Sequence, residues 1–518
     1  MRTTMLMSAA LLAACGGTKR SGTGEPMASS AAAETGAPAT MADMPPAGED
    51  VTAKVIAMNS EDFASPPTEF RAGHVTPRTP PTMKKTRTGF EIRFASGAPV
   101  TTPAVYGGKV FVSGGFQSKE FHAFAATTGQ SAWSIDLDDD GPSSAVCDDG
   151  VCVFNTESCT VFAVSAATGK QLWSWWLGDP LTSSPTIADG RVFTSYPATS
   201  VAKGSTKPRP PNATHALAAF DLRTGKLLWQ KWLDSDVMSA PVATGGFVYA
   251  STFAGTLIKF EQATGKVRYA LRAKATSAPV VQFAADGMES TYFTKRGDAE
   301  ADGAEELIIR TDHNHPKTKY KTRAKKAEYL DKDVQRKSKY AAEGESNDSG
   351  NGFSGGAPAS ANPNAAAQNI GFSSVANMQA FQGSRLLHLG DRNVNTMGDE
   401  VVATSAETGE TLWSMKLHGD VAREGGFLGT APLAAGGSVL VATLKGTLMQ
   451  LDPKTGTVQA TYEVGGRVRA QPVVANGWIY VGTEDGRLVG INTGNKKLTG
   501  WPMWGGNAGR TGIQLAGK

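Results

Sequence analysis

The sequence predicts an all-β fold, an eight-bladed β-propeller of four-stranded antiparallel blades with a long insertion in the fifth blade. Three observations predict it. A unit of the form Ala470-Gln471-Pro472-Val473-Val474-Ala475-Asn476-Gly477-Trp478-Ile479-Tyr480-Val481 recurs at Pro103, Ala145, Pro185, Pro241, Pro279, about Val375, Pro432 and Pro472, mostly near 40 residues apart. Within each unit, apolar residues alternate around Gly-containing turns such as Ala188-Asp189-Gly190 and Glu484-Asp485-Gly486, the strongest short-range signal of a β-hairpin. A Thr-Gly turn then ends the third strand at Gly129, Gly169, Gly225, Gly265, Gly409 and Gly456, and a large ring follows four residues later at Trp133, Trp173, Trp229, Tyr269 and Trp413. Three or four antiparallel strands per unit, repeated eight times, specify a radial array.

The chain begins before the repeats. Met1 to Ala14 carries one positive charge and then a short apolar stretch, the layout of a secretory signal and too short to span a bilayer. It ends in Leu12-Ala13-Ala14-Cys15-Gly16, which resembles the lipobox of bacterial lipoproteins. The resemblance implies a diacylglycerol thioether on Cys15, a lipid-anchored protein of the cell envelope facing the periplasm, and the outer rather than the inner membrane, because Gly16 is not an inner-membrane retention aspartate. Residues 1–15 are thus expected to be signal peptide and lipobox. Residues 16–67, rich in Ala, Gly, Ser, Thr, Met and Pro without periodicity, are expected to form a flexible low-complexity tether. Residues 68–518 are expected to form the propeller, with insertions at about 198–214 and 296–372. No run of 18 apolar residues occurs, so no segment reads as a membrane-spanning helix.

Among the repeats, Asp221-Leu222-Arg223-Thr224-Gly225-Lys226-Leu227-Leu228-Trp229 resembles the docking motif of PQQ-type (quinoprotein-like) propeller repeats, and the likeness runs from about Gly89 to Gly512. That superfamily includes quinoprotein alcohol dehydrogenases and BamB-like lipoproteins of outer-membrane protein assembly. The motif itself reads as structure: glycine accepts positive φ at the turn, and the ring packs between blades. The ring must also close, and both Phe90-Glu91-Ile92-Arg93-Phe94 and Trp501-Pro502-Met503-Trp504 could supply the closing strand.

Candidate chemistry is sparse. Cys147 and Cys152 align with Ile187 and Val192 of the next unit, across a hairpin, where a disulfide is reasonable in an exported protein; three buried thiols, including Cys159, are the alternative. Asp312-His313-Asn314-His315 is followed by Pro316 and reads as a solvated loop, so no metal site is expected. The gap between Pro279 and Val375 holds a basic stretch, Lys317, Lys319, Lys321, Arg323, Lys325, Lys326, Arg336, Lys337 and Lys339, with a charged helix expected over 324–340. It reads either as a solvated face or as a dock for an anionic partner. A net charge of +3 gives no electrostatic case for nucleic acid.

No phosphate loop, nucleophile elbow, His-Glu-x-x-His motif or vicinal cysteine pair is present. The expected function is therefore a non-catalytic envelope scaffold, monomeric and without cofactor, that binds an envelope protein partner, with outer-membrane protein assembly as the process the resemblance implies. The alternative is a quinoprotein oxidoreductase holding PQQ and calcium on the axis.

Overall fold

A computed structural model describes residues 48–60, 72–156, 160–177, 183–198, 210–283, 287, 289–296, 305–312, 317–321, 325–326, 385–420 and 428–513. Eight antiparallel sheets form the blades of a propeller, and the first strands of neighbouring blades lie side by side about the axis. Blade 1 comprises Ala104–Tyr106, Lys109–Ser113, Glu120–Ala125 and Ser131–Leu137. Blades 2, 3 and 4 repeat this order from Val146, Thr186 and Val242, and blades 5, 6, 7 and 8 from Val280, Leu387, Leu433 and Val473.

Neighbouring blades are joined by the predicted rings. Trp133, Trp173, Trp229 and Trp413 lie against Gly169, Gly225, Gly265 and Gly456 of the following blade. Each indole Nε1 also donates to a carbonyl there: Trp173 to Leu222 at 2.8 Å, Trp229 to Gln262 at 2.8 Å and Trp413 to Pro453 at 3.0 Å. Each ring pairs across its own sheet with a small residue beside a β-bulge, Ala123, Ala163, Ala219 and Ala403. The bulge increases local twist and turns the ring toward the next blade. Tyr269 departs from the pattern. Its hydroxyl lies 3.4 Å from Glu289, which also pairs with the buried Lys259, so this seam is polar.

The amino-terminal strand closes the ring. Gly89–Arg93 pairs with Arg487–Asn492 as the fourth strand of blade 8, and Phe90 takes the place of an indole against Gly129. Tyr480 completes the seam by donating its hydroxyl to the carbonyl of Ala126 at 2.8 Å.

Three expectations need correction. Part of the segment expected to be a tether is ordered: Glu49–Asp50 adds a strand to blade 4, and the helix Thr52–Met58 docks beside it. Val51 and Val55 are buried against Phe193, Leu217 and Val248, apolar contacts that local composition alone does not reveal. The fifth-blade insertion starts later than expected, because Glu305–Asp312 and Lys317–Lys321 are that blade's third and fourth strands and Lys325–Lys326 pairs with Glu305–Glu306 instead of opening a helix. The first strand of blade 6 is Leu387–His388, later than the weak copy at Val375 suggests.

The amino-terminal segment is a belt. Met83–Lys85 adds a strand to the rim of blade 8 and Val75–Pro77 to that of blade 1. At blade 2, Gln171 and Ser174 donate to the carbonyl of Gly73, and at blade 3, Asn59 exchanges two side-chain bonds with the backbone of Trp232. With Glu49–Asp50 on blade 4, five consecutive rims carry the chain's own segment. Four-stranded blades are therefore the basic unit; blades 8, 1 and 4 gain a fifth strand from the belt, and blade 5 gains one in Lys325–Lys326.

Two predictions follow from this packing. Gly225 has φ of +68°, and a Cβ there would sit 2.6 Å from the Trp173 ring, whereas Gly190 has φ of +69° with nothing within 4 Å. Gly190→Ala should cost only the left-handed backbone penalty, about 1–2 kcal/mol. Gly225→Ala should cost clearly more in denaturant unfolding, and the excess should vanish in a Trp173→Ala background. Equal costs for the two alanine variants would refute the stacking account. Val55→Asp should strip hydrogen-exchange protection from residues 48–60 while leaving the blade strands protected; unchanged protection would show that the helix does not depend on this contact.

Candidate functional site

On this fold, ligand chemistry would be sought on the axis, where the innermost strands converge. One end of that axis is filled by the chain itself. Residues 498–513 bond to successive blades: the amide of Val474 to Trp501, of Val105 to Pro502, of Ile187 to Ala508 and of Ala243 to Gly509. Gly436 bonds to Thr499 and His388 to Gly512. Trp501, Met503, Trp504 and Arg510 are all buried.

Two arginines anchor this plug. Arg510 donates Nε to the carbonyl of Pro185 at 2.7 Å, Nη2 to Ser144 at 3.1 Å and Nη1 to Trp504 at 3.2 Å. Arg385 donates to the carbonyls of Pro279 and Arg510. Both guanidiniums lie over the Trp504 ring, 4.7 Å and 5.1 Å from its centroid. Burial pushes each guanidinium pKa down to about 9, and the charge of Arg385 adds to the effect at Arg510. Backbone carbonyls around the axis thus solvate the buried Arg510 at all three guanidinium nitrogens and the buried Arg385 at Nη2.

At the opposite end of the inner strands, hydroxyl pairs tie the start of blades 1, 3 and 5 to the second strand of each. Thr101 bonds Ser113 at 3.2 Å, Ser183 bonds Ser195 at 2.7 Å and Thr276 bonds Thr294 at 2.9 Å. Asp236 is buried there, accepting from Ser195 and from the amide of Val237. Among the described residues no group of three His, Cys, Asp or Glu side chains could hold a metal ion. The donor set is hydroxyl and amide with the single carboxylate of Asp236, which already accepts from Ser195 and Val237, whereas a calcium site gathers several carboxylate and carbonyl oxygens about one point. A tricyclic quinone beside Trp504 would have to displace the plug. These residues do not fit PQQ with calcium.

Another cluster lies at the seam of blades 8 and 1. Ser134 bonds His122 Nδ1 at 2.8 Å, and His122 Nε2 lies 3.2 Å from Glu120. The imidazole is buried and stacks on Phe94, and burial lowers its pKa. Arg78 of the belt pairs with Glu120 at 2.8 Å and Asp136 at 2.5 Å, covering the cluster. The arrangement resembles a nucleophile–base pair in its connectivity, but it is a polar buckle holding the belt to the seam.

Cys147 and Cys152, opposite one another on the first hairpin of blade 2, form a disulfide with Cα atoms 4.1 Å apart. Lys317, Lys319 and Lys321 occupy the fourth strand of blade 5, and Lys325 and Lys326 the short strand beyond it. Cys15, Cys159, His313, His315, Arg323, Arg336, Lys337 and Lys339 lie outside the described residues. Sequence reasoning missed the axial plug: it offers Trp501-Pro502-Met503-Trp504 as a candidate closing strand, the place that Gly89–Arg93 takes.

The family model for outer membrane protein assembly factor BamB matches residues 117–207, 211–299 and 397–502, more than half of the chain. Among solved structures, BamB from Moraxella catarrhalis is 15% identical over 79% of this chain and 100% of its own, with a TM-score of 0.47. The computationally designed Ika8 protein is 14% identical over 77% of this chain and 98% of its own, with a TM-score of 0.51. Quinohemoprotein alcohol dehydrogenase from Comamonas testosteroni is 13% identical over 80% of this chain and 77% of its own, with a TM-score of 0.49. At such identities only the designed protein of these three, with the TM-score above 0.5, bears on this chain, and it bears on the fold alone. A search of curated proteins finds no match. With eight blades built on the docking repeat and the family model matched through both halves of the ring, the chain belongs to the BamB family of β-propellers.

Proposed function

We propose that this protein is a non-catalytic scaffold of the bacterial envelope that holds protein partners on its propeller surface, in the process of outer-membrane protein assembly for which its family is described. The observation that carries the reading is the axial plug. One end of the axis is taken by Trp504 between two arginines, whose bonds run to the chain's own carbonyls. An axis filled this way supports a rigid ring with broad outer surfaces, the geometry of a binding platform. The Cys15 lipobox supports attachment to a membrane at the amino terminus, and the Cys147–Cys152 bridge is consistent with an oxidising compartment.

The test is direct. Full-length protein supplied with PQQ and calcium should show no quinone absorbance after gel filtration and no dye-linked oxidation of alcohols or sugars. Stoichiometric retention of the quinone would overturn the scaffold reading. Pull-down from envelope extracts should recover a defined partner; reversing the charges of Lys317, Lys319 and Lys321 should weaken that recovery if blade 5 contributes to the dock, and leave it unchanged if those lysines only solvate the edge.

A further inference from the structure

The belt shows what a blade rim of this protein takes as its neighbour. On blades 4 and 1 the added segment is a short antiparallel strand bonded to the outward backbone groups of the fourth strand: Val51 donates to the carbonyl of Ala270 and Arg78 to that of Ser134, each at 3.0 Å. Ala270 and Ser134 occupy the same register position, opposite the third residue of their blade's third strand. Two places further on, each fourth strand carries a charge opposite the first residue of the third strand, Arg272 in blade 4 and Asp136 in blade 1. The belt meets each with the opposite sign. Glu49 is the partner of Arg272 in the added strand and is held below the usual carboxylate range, chiefly by Lys54 with help from Arg272. Arg78 reaches Asp136 at 2.5 Å.

Blade 7 presents the same edge without an occupant among the described residues. Its fourth strand, Val458–Glu463, pairs only with Thr447–Leu451. By register Thr461 corresponds to Ala270, and Glu463 to Arg272. The strand is exposed at Val458, Gln459, Thr461 and Glu463, with Val458 at 49%. It contains no Lys, Arg or Pro, the devices that usually protect a free edge, whereas the edge of blade 5 carries three lysines and that of blade 6 ends in Lys416.

We propose that the rim of blade 7 binds an extended strand of a partner polypeptide by antiparallel strand addition at Thr461, with a Lys or Arg of that strand opposite Glu463. The proposal rests on the scaffold reading and specifies where and how such a scaffold engages a partner. Main-chain bonds supply the attachment and the Glu463 pair sets the preference in charge. The upstream residues 16–47 are a poor alternative occupant, since Ala, Gly, Ser and Pro dominate them and β-branched and aromatic residues are few.

The probe is a pair of fluorescein-labelled, end-capped peptides, Thr-Val-Thr-Arg-Val-Thr and the same sequence with Glu in place of Arg, titrated onto the full chain by anisotropy. The Arg peptide should bind at least tenfold more tightly than the Glu peptide, Glu463→Lys should reverse that order, and N-methylation of alternate peptide amides should abolish binding. Thr461→Pro removes one outward N–H while leaving the inner ladder intact, so it should lose both peptides with an unchanged unfolding midpoint. Hydrogen exchange should slow at Thr461 and Glu463 on adding the Arg peptide. Equal binding to wild type and Thr461→Pro, or no binding, would overturn the proposal. So would a dimer in sedimentation that Thr461→Pro converts to monomer, which would make the occupant a second copy, or faster exchange at Thr461 on deleting residues 16–47, which would make it the chain's own segment. Envelope partners retained by Thr461→Pro in pull-down would sink the rim proposal and leave the scaffold standing; no partner recovered by wild type would remove the scaffold itself.

Discussion

The contact on which this molecule depends is an indole lying on a glycine of the next blade. Its geometry leaves no room for a Cβ, and the glycine's left-handed backbone suits the turn that presents it. Each such contact buries a large ring and satisfies its one polar atom against a fixed carbonyl, so it sets both the distance and the angle between sheets. Repeated at four of the eight seams, it makes the mutual orientation of those blades a local property of sequence. Two of the remaining seams are held by other contacts: a buried ion pair between blades 4 and 5, and Phe90 with Tyr480 where the chain closes on itself.

Two non-repeating segments complete what repetition cannot. The carboxy-terminal plug joins innermost strands that otherwise meet only as neighbours, and it does so with backbone bonds and two arginines solvated by carbonyls. The amino-terminal belt performs the corresponding task at the circumference, pairing with edges that would otherwise expose unbonded amides. An axis fastened from within and a perimeter fastened from without leave a stiff body whose remaining variability lies in its surface.

The repeating part of the fold was legible in the sequence because each unit states its own turns and its own docking ring. Thr224-Gly225 followed by Trp229 needs no distant residue to be understood. The disulfide was legible for the same reason, as Cys147 and Cys152 flank one hairpin. What escaped was long-range. Val51 and Val55 find their apolar contacts on blades 3 and 4, far along the chain, so the segment around them reads as tether until the partners are known. In blade 5 the basic composition of Lys317–Lys321 suggested an insertion, although sheet pairing, which composition does not encode, makes it a fourth strand. The axial role of Arg510 was invisible because two of the three carbonyls it gathers come from residues more than 300 positions away.

The belt also decides how the body bears mechanical load. Among the described residues, a pull arriving through the amino terminus reaches Glu49–Asp50 first, on the rim of blade 4, and far from the closing strand Gly89–Arg93. Tension would therefore peel the belt blade by blade, two or three residues at a time, before any force reached the seam that keeps the ring shut. The strap acts as a sacrificial fuse, and a body hung by its amino terminus can lengthen its leash by roughly 3.3–3.6 Å for every belt residue released, with the eight-bladed ring still whole.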